Sequence, residues 1–159
     1  RASITGHLVL STLHTNDTAS TVARLIDMGI EPYMVSTSVI GIISQRLVKR
    51  LCNSCKIAFT PNEKERKMLG LSLDKELTLY KPCGCNKCIK GYRGRIPVHE
   101  VMYLDQNIRK LIDNRATTDE IKEEAIKNGM TTLLESAISL ALQGITSIEE
   151  VLRIGYTTD

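Results

Sequence analysis

Tryptophan is absent from the 159 residues, phenylalanine occurs once, and all aromatics together make up 4% of the chain. The stacking platforms that hold single-stranded nucleic acid are therefore scarce. No apolar run approaches the roughly 18 residues of a membrane-spanning helix, and the opening Arg1-Ala2-Ser3-Ile4-Thr5-Gly6-His7 lacks the charged-then-apolar pattern of a secretory signal. Neither a membrane span nor a targeting segment is expected. No G-x-x-x-x-G-K-[ST] occurs, so the backbone cradle and lysine that hold nucleotide phosphates are missing, as are G-x-S-x-G and H-E-x-x-H. An enzyme acting by itself is not expected from such a chain.

At 42% hydrophobic and 25% charged residues, the composition is that of a folded protein able to bury a core in one or two domains. Disorder and collagen-like structure are excluded. The chain starts on Arg1 and reaches the apolar run Leu8-Val9-Leu10 with no lead-in, which predicts a piece of a longer protein. Its net charge of +3 is unevenly spread: residues 1–51 balance to +2, residues 52–95 to +6 and residues 96–159 to −5. The basic middle also contains all five cysteines. Such a patch attracts nucleic acid or anionic lipid. Lysines also neutralise the net charge of about −2 left when four thiolates meet one Zn²⁺, which accounts for them equally well.

Cys52-Asn53-Ser54-Cys55 and Cys85-Asn86-Lys87-Cys88 are two C-x₂-C pairs with 29 residues between them. Each pair lets two thiolates converge on one ion from a tight turn, and two pairs complete a closed tetrahedral Zn²⁺ site. The long intervening loop adds little closure entropy, because that cost grows only logarithmically. Disulfides need an oxidising compartment that nothing here indicates, and a redox C-x₂-C lacks its βαβ context. The segment has few core-sized side chains, chiefly Phe59, Met68, Leu69, Leu71, Leu77 and Leu79, so the metal is expected to be structural. Cys83, two residues before Cys85, is the odd thiol and could replace a neighbour as ligand, but Gly84 and the x₂ spacing favour Cys85 with Cys88, so Cys83 is expected to be free and without function.

Gly6 to Leu13 reads as a buried parallel strand whose polar carboxyl end, Thr12, His14, Thr15, Asn16 and Asp17, is where α/β proteins place ligand chemistry. Asn16 or Asp17 then caps a helix with apolar Ala19, Val22, Ala23 and Ile26, stopped by Gly29 and Pro32. Residues 33–43 are apolar nearly all round, a buried helix or helix–strand junction, and Gln45 to Leu51 reads as a short strand. After the cysteines, Arg95 to Tyr103 reads as a returning strand in which Pro97 points to an edge or bend. From Asp105 onward every signal is helical. Asp105 caps one helix, Thr117 and Glu120 form a capping box for the next, Thr131 or Thr132 opens a third, and Thr146 with Glu149 boxes a fourth. Gly129 and Gly144 are the stops. A small helical bundle with solvated acidic faces is expected, and it contains no catalytic constellation.

His7 and His14 bracket the first expected strand, and seven residues of period-two backbone would send them to opposite faces, so they should not chelate one metal. His14, in Thr12-Leu13-His14-Thr15-Asn16 at the strand's carboxyl end, is placed to meet a phosphate or a partner subunit.

Three ordered motifs over residues 5–100 carry a resemblance. Thr5-Gly6-His7-Leu8-Val9-Leu10-Ser11-Thr12-Leu13-His14-Thr15-Asn16 resembles the histidine box of the bacterial type II secretion and type IV pilus assembly ATPases. Gln45-Arg46-Leu47-Val48-Lys49-Arg50-Leu51-Cys52 through Cys55-Lys56 resembles that family's entry into its tetracysteine domain. Gly84-Cys85 to Cys88, then Gly91-Tyr92-Arg93-Gly94-Arg95 and Glu100, resembles its exit. The retraction ATPases of the superfamily generally lack this insert, so the likeness is to the secretion and pilus-extension branch.

The resemblance implies an α/β fold, the C-terminal part of a RecA-like motor domain with an inserted tetracysteine zinc subdomain and a C-terminal helical bundle. Residues 1–51 would be the end of the ATPase core, 52–95 the zinc-binding subdomain, and 96–159 the returning strand and helices. It further implies a hexamer that binds ATP and Mg²⁺ on the cytoplasmic side, peripheral to the inner membrane, and drives a membrane platform protein, with no nucleic acid involved. His7 and His14 would sense the terminal phosphate as catalytic residues, Arg95 would lie near the nucleotide, and Cys52, Cys55, Cys85 and Cys88 would hold Zn²⁺. Only Ile89 and Lys90 separate Cys88 from the Gly-Tyr motif, a shorter linker than in many relatives, and Cys83 has no counterpart in the four-cysteine pattern. The competing function class is a zinc-stabilised binding module that docks nucleic acid or an acidic protein surface.

Overall fold

The computed structural model describes residues 2–72 and 76–155, which fold as two compact units. The first joins Arg1–Ser44 to His99–Thr132, and the second joins Gln45–Val98 to Leu133–Asp159. Two long strands, β1 (Gly41–Leu51) and β4 (Tyr92–Tyr103), pair with each other, and each contributes one half to each unit. The pairing is antiparallel, because the Leu104 N–H donates to the Ile40 carbonyl at 3.0 Å at one end and the Cys52 N–H to the Gly91 carbonyl at 2.9 Å at the other. Both are edge strands, which is how β4 tolerates Pro97 without a ladder donor.

In the first unit, α1 (Thr18–Asp27) starts where Asp17 accepts from the Ser20 N–H at 2.8 Å while the Ser20 hydroxyl accepts from the Asp17 N–H at 3.2 Å. It stops at Gly29, whose φ of +85° suits a residue without a Cβ. α2 (Pro32–Ser38) opens on proline at its first position, where no donor is needed. α4 (Gln106–Asp113) is capped by Asp105, and α5 (Thr118–Lys127) by the Thr117–Glu120 box. Their apolar faces meet around Val22, Val35, Met102, Leu104, Ile108, Ile112 and Ile121, all 3% exposed or less. Each such burial contributes about 1.5–3 kcal/mol against an exposed reference.

The second unit packs α6 (Leu133–Leu142) and α7 (Ile148–Gly155) on Val48 of β1, Val98 of β4 and Leu79. Leu79 belongs to β3 (Leu79–Lys81), which pairs antiparallel with β2 (Ile57–Phe59). Between them α3 (Glu63–Met68) is boxed by Asn62 and Glu65. The four C-terminal helices thus serve as two pairs, one in each unit.

Several expectations need correcting. Gly6 to Leu13 is neither a strand nor buried: residues 7–15 have no regular structure, and Leu8 and Leu10 are 80% and 88% exposed. A parallel strand is buried only when other strands flank it and helices cover it. Among the described residues no strand pairs with this segment. Residues 33–43 form the predicted junction, α2 giving way to β1 at Val39 and Ile40, but Tyr33, Ile40 and Ile43 are exposed. Both long strands start earlier than their apolar patterns indicate, at Gly41 and Tyr92, because mutual pairing extends them. The final helix begins at Ile148, one residue later than a Thr146–Glu149 box requires, and the Thr146 hydroxyl donates instead to the Lys49 carbonyl at 2.8 Å.

Candidate metal centre

Residues 52–55 and 85–88 make two matching tight turns. The Cys52 carbonyl accepts from the N–H groups of Cys55 at 3.2 Å and Lys56 at 3.0 Å, and the Cys85 carbonyl from Cys88 at 3.3 Å. Each turn brings its two thiols to the same side. The four sulfurs of Cys52, Cys55, Cys85 and Cys88 all lie within 4.8 Å of one another. Neighbouring Sγ atoms are 4.0 Å apart for Cys52–Cys85 and 3.7 Å for Cys55–Cys88 and Cys85–Cys88. Zn–S bonds of about 2.3 Å in a tetrahedron require S–S edges of about 3.8 Å. All five cysteines are free thiols, and Cys83, exposed, is not among the four.

The surroundings favour thiolates. The Gly84 N–H donates to Cys55 Sγ and the Cys85 N–H to Cys88 Sγ, both at 3.3 Å, which are the outer hydrogen bonds a metal-bound sulfur uses. The Ser54 N–H, aided by the neighbouring thiols and against burial, draws the Cys52 thiol down to about 7. At Cys55 the Gly84 N–H pulls the same way, but burial and the three other sulfurs prevail and push it up to about 12. Cys52 and Cys55 are therefore pushed in opposite directions by their shared surroundings, and a bound cation would remove that conflict.

The chain around this centre is fixed by backbone that only glycine allows. Gly91 has φ +85°, and a Cβ there would lie 2.4 Å from Pro82 Cβ and 2.8 Å from the Cys83 nitrogen. From the other side, Lys56 Nζ donates to the Gly144 carbonyl at 2.7 Å and lies 4.5 Å from the Tyr80 ring centre. The Leu51 N–H donates to Ile145 at 2.8 Å, so the α6–α7 turn is hydrogen-bonded to the entry of the first cysteine turn.

The remaining predicted site residues do not gather at this centre. His7 and His14 are exposed on the irregular segment of the first unit, with His7 Nδ1 3.0 Å from the Thr5 hydroxyl. Arg95 is exposed on the half of β4 that belongs to the second unit. Two buried carboxylates carry structure that the sequence reading left without a role. Glu100, 2% exposed, accepts from the Thr18 N–H at 2.9 Å and the Thr18 hydroxyl at 2.6 Å. Glu150, 5% exposed, accepts from the Lys49 N–H at 2.8 Å and from Arg153 Nη1 at 2.9 Å. Burial opposes its ionisation, but these donors and the Lys49 ammonium hold it below the ordinary carboxylate range. A strand with alternating apolar residues and one acid on the inward parity was the available signal for Glu100.

The family described as "Type II/IV secretion system protein" matches residues 1–153. The chain belongs to this family. It is 47% identical over 155 residues to the type IV pilus assembly ATPase PilB of Thermus thermophilus, covering 95% of this chain and 17% of that protein. Against the type II secretion system ATPase E of Vibrio cholerae the identity is 42% over 155 residues, with 97% and 31% covered. The chain therefore spans less than a third of the length of these relatives. Among solved structures it is similar to the pilus retraction motor PilT with bound ADP, at a TM-score of 0.57 and 21% identity over 93% of this chain and 32% of that one. That likeness is one of fold alone, an α/β arrangement shared with about a third of that chain.

Proposed function

We propose that this chain is the terminal part of an ATP-hydrolysing motor that powers type II protein secretion or type IV pilus assembly. The observation that carries the reading is the match of the whole stretch 1–153 to the secretion family, with identities above 40% to a pilus assembly ATPase and a secretion ATPase. In this reading residues 1–51 close the ATPase core, 52–95 are the zinc-binding subdomain, and 96–159 are the returning strand and helices. Cys52, Cys55, Cys85 and Cys88 bind one structural Zn²⁺, and their grouping supports the secretion and pilus-extension branch. The full-length protein works as a hexamer with ATP and Mg²⁺ at the cytoplasmic face of the inner membrane, against a platform protein of the machine.

His14 is the catalytic residue this chain brings, with His7 as a second and Arg95 toward the nucleotide. Phosphoryl transfer is accelerated mainly by positioning and charge stabilisation, and an exposed imidazole donor just before α1 suits that task. In the full-length hexamer, His14→Ala should lower kcat about 10²-fold while raising KM less, as loss of a transition-state contact does. His7→Ala should act more weakly. Steady-state ATPase kinetics, with assembly checked by sizing, measures both, and a wild-type kcat in His14→Ala would remove the assignment.

A second reading is favoured by the +6 balance of residues 52–95: a zinc-stabilised module that docks nucleic acid or an acidic protein face. It requires strongly salt-dependent nucleic-acid binding and no phosphate-binding G-x-x-x-x-G-K-[ST] upstream in the coding sequence.

A further inference from the structure

The segment that carries His14 has no secondary structure of its own, yet every residue between it and α1 is tied down. The Thr15 hydroxyl lies 2.7 Å from that of Thr21, the Asn16 carbonyl accepts from the Ser44 hydroxyl at 3.5 Å, and Asp17 caps Ser20 while pairing with Lys122 Nζ at 3.4 Å. The innermost tie is the strongest. Thr18 is fully buried, and both its N–H and its hydroxyl converge on one oxygen of Glu100, a residue on β4 that lies 82 positions away in sequence. The Thr18 hydroxyl also reaches Met130 Sδ at 3.5 Å.

A buried carboxylate is costly to desolvate, so a strand retains one only where donors repay it, and charge-assisted bonds of 2.6–2.9 Å are the strong kind. Glu100 also places negative charge at the first turn of α1, where the helix's free N–H groups and dipole favour it. The result is an anchor four residues from His14, at the end of its segment that runs into α1. Apolar packing would have filled the space equally well; a paired acceptor fixes the direction and register of the turn.

We propose that Glu100 is a positioning residue for His14: through Thr18 it sets where the segment leaves α1, and hence where the imidazole sits. This deepens the ATPase reading above and rests on it. Glu100 touches no reacting atom in this account, so its contribution passes entirely through His14.

The test is a double-mutant cycle on ATPase kinetics in the full-length hexamer. Glu100→Ala should lower kcat about tenfold with KM nearly unchanged, and Glu100→Gln, which keeps an acceptor oxygen for Thr18, should restore most of it. In a His14→Ala background, Glu100→Ala should have no further effect. If Glu100→Ala does not assemble, Thr18→Val, which removes the hydroxyl and keeps the backbone donor, is read in the same cycle and should lower kcat about threefold only when His14 is present. An undiminished loss in the His14→Ala background, or a kcat unchanged by both Glu100→Ala and Thr18→Val, overturns the positioning role. A His14→Ala hexamer with wild-type kcat overturns the underlying reading instead, so the two failures are told apart.

Discussion

Gly91 shows how much a single position can decide. It adopts φ +85°, and its missing side chain leaves room for Pro82, while its carbonyl accepts from the first metal-site cysteine. Gly91→Ala should therefore cost about 2–4 kcal/mol, from left-handed strain together with overlap against backbone that cannot yield. Urea unfolding of the zinc-loaded chain measures this, and Gly94→Ala is the control, since Gly94 has a similar φ of +75° with nothing within 4 Å of its added Cβ. Both pay the strain, but only Gly91→Ala should pay the overlap. A sequence shows that a glycine is present and not what its Cβ would meet. The same holds for Glu100: its identity was plain, but its use depends on Thr18, 82 residues away.

At the level of elements, the features that depend on neighbouring residues were legible. The Asp17 cap, the Thr117–Glu120 box, the glycine stops and the two cysteine turns each rest on contacts within four residues, and each is in place. The features that depend on distant pairing were not. Gly6 to Leu13 has the composition of a buried strand, but a strand exists only with a ladder partner, and none pairs with it among the described residues. The ends of β1 and β4 and the start of α7 shifted for the same reason. The metal centre belongs to this scale, because the pairings of β1 with β4 and of β2 with β3 both join the segments that carry its two turns. One Zn²⁺ per chain is expected, retained in Cys83→Ser and lost in Cys85→Ser, with chelation unfolding the 52–95 segment. Elemental analysis beside circular dichroism measures this, and full zinc in Cys85→Ser with loss in Cys83→Ser would mean that Cys83 is the ligand.

For the molecule as a whole, each unit has its own apolar core, and the family match runs through both. A four-cysteine cluster able to hold a metal lies within this chain, while the phosphate-holding sequence G-x-x-x-x-G-K-[ST] is not found in its 159 residues. The proposed histidines are exposed on a segment with no strand beside it among the described residues. Family and fold were readable from local motifs, while His7, His14 and Arg95 remain proposals, because the roles proposed for them need a phosphate-holding sequence not found in these 159 residues. The measurement that bears most directly on the account is ATP turnover, taken side by side on the full-length protein and on residues 1–159 alone. Magnesium-dependent hydrolysis is expected from the full-length protein and none from the isolated chain, measured after zinc loading and a check of folding. Turnover by the isolated chain, or its absence from a correctly assembled full-length protein, would contradict it.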